Sequence, residues 1–478
     1  MGLGLPASND AACPGRSAQL ASQNMGVGGI GGRWLCLSAA MLATFAGTGV
    51  GYAWGVFSPT LKSQLGLSQH QLLLVAIAPN YFVSLPPMAF FPGWVYDYGG
   101  DRRGAVVSML LAAFGLGGGY LLMYATAQQI IPGVPHDPGW SVALLCVGNV
   151  VAGFGASFST VACMCVIVKN FPHRRGTIVG LVKCITGLSG GMYAQIYYGF
   201  LAPKTLSFVL MAAISNLVLN SATAFFLPVV KPDPRERNLD LRLSLAMVAV
   251  GILTASILAA AVVAEFFPED ADHSEVGPFG SSSSNDGGSG SSVHGAGVAG
   301  AGQGRARNFA TAIIVIFVGL LCVPALDCGD DGEKEAEKEI SEPLLNEAES
   351  GGGSKEGAQE EEGGRQDVPD RNPCEALKTL DCWLLMWADS WAQASGGMVA
   401  ASLGQLVESN GGHDATFFVS LFSVANATGR ACLGLGTDVL VRRGFPRSVG
   451  LVCVSVLFTL MGVLGALTKV LSHLSLSP

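Results

Sequence analysis

The chain has 478 residues, half of them hydrophobic and only 13% charged, with a mean hydropathy of +0.45. Soluble domains carry about a quarter charged residues, so the composition excludes an ordinary soluble enzyme or binding module. The net charge of −8 sits largely in one acidic stretch and leaves no basic face of the kind that nucleic-acid binding requires.

Residues 1–32, rich in Gly, Ser and Ala, are expected to form a disordered tail, without the basic region and short apolar core of a cleaved signal peptide. A bilayer core about 30 Å thick takes roughly 20 apolar residues in helix. Such runs recur at 34–57, 71–94, 105–125, 140–166, 176–201 and 205–229, which make a six-helix half over 33–230. Two more, at 243–266 and 309–326, flank a Ser/Gly-rich loop within 231–327. The acidic stretch 328–380, including DDGEKEAEKEISEPLLNEAESGGGSKEGAQEEEGG, cannot bury enough apolar surface to fold and is expected to be a disordered linker. Three last runs, at 382–406, 415–437 and 448–468, fill 381–470 before a tail at 471–478. The reading is an all-α polytopic membrane protein with eleven spans.

Charge orients them. Arg102 and Arg103; Lys169, Arg174 and Arg175; Lys231, Arg235, Arg237 and Arg242; and Arg442, Arg443 and Arg447 fall in alternate short loops, whereas the others carry only Lys62 or Lys204, or no base. By the positive-inside rule the basic loops and the N-terminus are cytoplasmic. The rule does not choose between the plasma membrane and a vacuolar or other organellar membrane.

Twelve cysteines do not make a disulfide framework, because Cys36, Cys146, Cys163, Cys165, Cys184, Cys322, Cys432 and Cys453 lie inside apolar runs and act there as small hydrophobes. Cys163-Met-Cys165 has no further ligand at zinc-site spacing, so no metal is expected. The glycines of GTGVGY, residues 47–52, follow no strand and point to close helix packing rather than nucleotide binding. No GxxxxGK[ST], HExxH or GxSxG motif occurs, so neither a cofactor nor catalysis is expected.

One pattern repeats. GWVYDYGGDRR at 93–103 follows the second span, and GLGTDVLVRR at 434–443 follows the tenth run. Gly93 aligns with Gly434, Asp97 with Asp438, and Arg102/Arg103 with Arg442/Arg443. A glycine permits close helix approach, and an acid beside paired arginines can form a charge-assisted latch at the cytoplasmic gate. The pattern resembles the loop of the major facilitator superfamily between its second and third, and eighth and ninth, helices. Tyr98, Asp101 and Val441 depart from it. The resemblance implies a two-half helical bundle, with the runs at 243–266 and 309–326 inserted between the halves and the last three runs as the seventh to ninth helices.

A narrower resemblance covers most of the chain. RWLCLSAAMLATFAGTGVGYAWGVFSPTLKSQLGLSQHQL, VKNFPHRRGTIVGLVKCITGLSGGMYAQIY and LDCWLLMWADSWAQASGGMVAASLGQLVES resemble segments of nodulin-like transporters, in the same order. That family carries a further helix pair between its halves and three more helices after the ninth, which are expected to be missing here.

Polar groups inside the spans are the site candidates. Lys183 lies eight residues past Arg175, about 12 Å into the membrane at 1.5 Å per residue. Asp389, eight past Asp381, has matching depth in the other half, and the two charges can pair or jointly bind a charged solute. Asn149, Gln195, Gln393, Tyr52 and Trp54 are softer candidates for lining a cavity. The expected function is secondary transport of a small solute, an organic anion being compatible with Lys183. The alternatives are a non-transporting membrane sensor or scaffold and an oxalate/formate-type monocarboxylate porter.

Overall fold

In hydrocarbon every backbone N–H and C=O must be bonded within the chain, so apolar runs of this length form helices. The structure, a computed structural model, describes residues 30–84, 88–132, 137–230, 239–266, 298–323, 415–446 and 448–475. It also describes residues 375, 377–388, 390–391 and 396–397. Among them the regular elements are all helical: α1 (Ile30–Tyr52), α2 (Trp54–Leu65), α3 (Gln69–Ser84), α4 (Phe91–Ala127), α5 (Pro138–Asn170), α6 (Arg175–Ile196), α7 (Thr205–Thr223), α8 (Leu239–Phe266), α9 (Val298–Cys322), α10 (Ala415–Arg442) and α11 (Ser448–Ser475). Eight stretches of the described residues are long and apolar enough to cross a membrane, and the protein is an all-α polytopic membrane protein.

With one helix divided, the eight account for nine of the eleven expected runs. α4 contains Gly100 at φ 68°, ψ 175°, a conformation that glycine reaches without steric cost. Around it the chain doubles back: a Cβ on Gly104 would lie 2.0 Å from the Tyr96 carbonyl oxygen. In a straight helix those residues would stand about 12 Å apart. Residues 91–99 therefore complete the second span and the rest of α4 is the third, with the first copy of the repeat at the bend. Most of the run at 382–406 lies outside the described residues. The last run appears as α11, whose apolar stretch Ser448–Leu464 is shorter.

α1 and α6 form the centre, and most of their residues are buried in the protein. α1 packs against α5, α6 and α7; α4 lies between α5 and α7; and α6 is flanked by α1 on one side and α10 on another. α8 and α9 pack on this centre. Ser38 donates a hydrogen bond to the Leu321 carbonyl at 2.7 Å, Phe45 meets Phe317 at 4.9 Å, and a Cβ on Gly199 would lie 2.6 Å from the Ala310 Cβ. At the basic end Arg242 lies over Trp34, Trp34 packs edge-on against Phe171, and Arg33 lies over Phe171. An Arg174–Asp240 ion pair adds a second tie between α8 and the rest.

Candidate functional site at the seam of α6 and α10

α6 reads RGTIVGLVKCITGLSGGMYAQI, and small residues recur at helical spacing along the face turned to α10. A Cβ on Gly180 would lie 2.9 Å from the Gly434 Cα, and one on Gly187 would lie 2.6 Å from the Ala427 nitrogen. Without side chains in the way, the two backbones touch. The Cys184 thiol donates to the Ala427 carbonyl at 3.2 Å. Near the far end, a Cβ on Gly190 would meet the Tyr52 Cβ at 2.7 Å and the Ser423 hydroxyl at 3.2 Å.

Asp438 closes the other end of the seam. Its carboxylate accepts hydrogen bonds from the Gly176 N–H at 3.1 Å, the Thr177 N–H at 2.7 Å and the Thr177 hydroxyl at 2.7 Å. These are the first N–H groups of α6, which no intrahelical carbonyl reaches, and the helix dipole favours an anion there. Asp438 is thus a cap supplied in trans by α10 to α6.

The antiparallel register of Gly434 on Gly180 and Ala427 on Gly187 places Lys183 level with residues 430 and 431. Residue 430 is an arginine. Arg430 donates from Nε to Asn426 Oδ1 at 2.8 Å and from Nη2 to the Tyr52 hydroxyl at 3.1 Å. The second bond spans from α10 to α1. Lys183 is half-buried, lies within electrostatic reach of Cys163 on α5, and shares a stripe of α6 with Gly190, seven residues on. Two cations therefore stand in one layer where α1, α6 and α10 meet.

Other sequence-level candidates are dispersed. Trp54 is buried and packs edge-on against Phe57 at 5.0 Å. Asn149 donates to the Val75 carbonyl at 2.7 Å, tying α5 to α3. Gln195 is buried in α6. Asp389 and Gln393 lie outside the described residues. The two copies of the repeat are not equivalent. Gly434 and Asp438 face α6, whereas Gly93 has open space around it and Asp97 is exposed. Asp101 makes the ion pair at the first copy, with Lys169, whose ammonium also lies 5.3 Å from the Tyr96 ring. Arg102, Arg103, Arg442 and Arg443 are exposed. Sequence reasoning missed Arg430. It is the one charged residue between 415 and 437, so the criterion that selected Lys183 selects it too.

The Nodulin-like family profile matches residues 33–274. Over 202 residues the chain is 26% identical to Protein NUCLEAR FUSION DEFECTIVE 4 of Arabidopsis thaliana, a match covering 42% of this chain and 32% of that protein. The chain thus covers about a third of the length of that curated relative. No solved structure matches.

Proposed function

The chain belongs to the nodulin-like family, and on that premise we propose that it is a secondary transporter that moves a small solute by alternating access. In this reading the helices divide into two groups as in the major facilitator superfamily, one containing α1–α7 and the other α10 and α11. The observation that carries the reading is the Arg430–Tyr52 hydrogen bond, a polar contact between the two groups deep in apolar helices. A charge at that depth is expensive and marks a pathway more often than a packing role.

In this reading the seam of α6 and α10 is the surface on which the groups rock. Glycines give it close backbone contact without interlocking side chains, and Asp438 ties one end shut. Opening that end breaks the cap and exposes the layer of Lys183, Tyr52 and Arg430. Closing it restores three hydrogen bonds, as in the structure, where the Arg430–Tyr52 bond is also made; release of that bond then opens the layer toward the other end. The basic loops, and with them the Asp438 end and the N-terminus, face the cytoplasm. The test is uptake by vesicles containing the purified protein, using labelled organic anions and neutral solutes of similar size. Uptake above protein-free vesicles that disappears with Lys183→Ala is expected. Uptake unchanged by Lys183→Ala removes the lysine from the pathway, and no uptake of any solute contradicts the transporter reading.

A further inference from the structure

We propose that Arg430, with Tyr52, Asn426 and Lys183, forms a binding site for a short-chain carboxylate. The inference rests on the transporter reading for its purpose, and on the geometry of Arg430 for its chemistry.

Arg430 is central in its span. The candidate membrane segment runs Phe417–Arg442, and within it the residue shares the layer of Lys183, about 12 Å from the basic end of α6 at 1.5 Å per residue. That is too deep for its head group to reach either interface by extending the side chain. Among the described residues its hydrogen-bond partners are Asn426 and Tyr52, both neutral, and the ion pairs among them join other residues. A midplane arginine costs about 2.5–3.5 kcal/mol on insertion scales, and two neutral acceptors do not compensate its charge.

A guanidinium has five N–H donors in a planar fork. Asn426 takes one from Nε and Tyr52 one from Nη2. Three remain, including one on each terminal nitrogen, the pair that grips a carboxylate through two parallel bonds. Asn426, one helical turn before Arg430, and Tyr52, on α1, hold the guanidinium plane from two sides. Binding therefore loses little rotamer freedom.

The surroundings favour a carboxylate over phosphate. Phosphate sites draw on free backbone N–H groups at helix N-termini. At mid-span those groups are bonded within α6 and α10, so only a few side-chain donors remain, enough for a singly charged carboxylate. Lys183 on the facing helix stands in the same layer, and in this proposal a short dicarboxylate turns its second carboxylate toward it. The helices pack closely beside this layer at Gly187 and Gly190, which limits the solute to a short chain.

The test uses the purified full chain in detergent, titrated with acetate, oxalate and succinate. Acetamide, oxamide and succinamide serve as neutral controls, and phosphate and sulfate as other anions. Affinity is read by calorimetry and by the shift in melting temperature. At least one carboxylate should bind while its amide does not. Arg430→Gln should weaken binding tenfold or more, Arg430→Lys less, and Tyr52→Phe several-fold. If Arg430→Gln fails to fold, the selectivity of the unaltered protein and the other two variants decide. The proposal is overturned if no carboxylate binds, if an amide binds as tightly, if phosphate or sulfate binds more tightly, or if Arg430→Lys and Tyr52→Phe leave the affinity unchanged. It is also overturned if carboxylate binds only after Asp389→Asn, because Asp389 would then occupy the guanidinium itself. Carboxylate binding without vesicle uptake contradicts the transporter reading alone. Uptake of a neutral solute without carboxylate binding contradicts the site alone.

Discussion

Replacing Asp438 by alanine removes the carboxylate that joins α10 to the first turn of α6. Three donors lose their acceptor at once: the Gly176 and Thr177 N–H groups and the Thr177 hydroxyl, at 2.7–3.1 Å. Hydrogen bonds to a charged group contribute about 1.5–3 kcal/mol each, but a simple sum overstates the loss. The Thr177 hydroxyl can turn to another acceptor, and water reaches the freed N–H groups at the end of the helix. Loss of a side-chain cap costs about 0.5–2 kcal/mol, and the anion at the positive end of the dipole adds up to about 1 kcal/mol. The expected destabilisation is about 1–3 kcal/mol for Asp438→Ala. Asp438→Asn, which keeps one acceptor oxygen and loses the charge, should cost about half as much. The assay is unfolding in mixed micelles of rising SDS content, followed by far-ultraviolet circular dichroism. Thr177→Val combined with Asp438→Ala should be less damaging than the two separate losses added together, since both remove the same bond. A loss below about 0.5 kcal/mol for Asp438→Ala, the level of ordinary surface substitutions, would refute the cap. Asp97→Asn at the first copy is the control and should leave stability unchanged, because that side chain is exposed.

Gly434→Ala should destabilise by more than about 2 kcal/mol in the same assay, since the new Cβ would sit 2.6 Å from the Gly180 Cα and backbone cannot yield; Gly436→Ala, with open space around it, should be neutral. Lys183→Ala should abolish vesicle uptake while leaving the circular dichroism spectrum and melting temperature near normal, and Lys183→Arg should retain part of the uptake; full uptake by the alanine variant would mean that the lysine only extends toward the membrane surface. Epitopes placed in 267–297 and 328–380 should label from opposite sides of intact cells, because α9 crosses between them; labelling from one side would overturn the span count.

Much of the helical architecture is legible in the apolar runs, because lipid leaves the backbone no alternative to helix. The repeat also locates the bend at Gly100, where GWVYDYGGDRR ends one span and the next begins. The partners of charged groups are less legible. Asp97 and Asp438 occupy the same place in their repeats, yet only Asp438 meets a helix N-terminus, and that helix begins more than 250 residues earlier in the chain. No local spacing records such a contact. Lys183 stands out as a charge in an apolar run, and Arg430 satisfies the same criterion. What local sequence does not show is that close glycine packing brings the two into one layer. Trp54 and Asn149 illustrate the converse: polar or aromatic groups inside spans that the fold uses for packing and for a helix-to-helix bond.

Alternating access can be measured without knowing the solute. In a chain whose twelve native cysteines have been replaced, Asn426→Cys puts one thiol beside Arg430, and an impermeant thiol reagent is added to either face of sealed, oriented vesicles. The account predicts reaction from both faces. Adding Asp438→Asn, which weakens the tie at one end of the seam, should accelerate reaction from the face at that end and slow it from the other. Reaction from one face alone, or two rates that Asp438→Asn leaves unchanged, would contradict it.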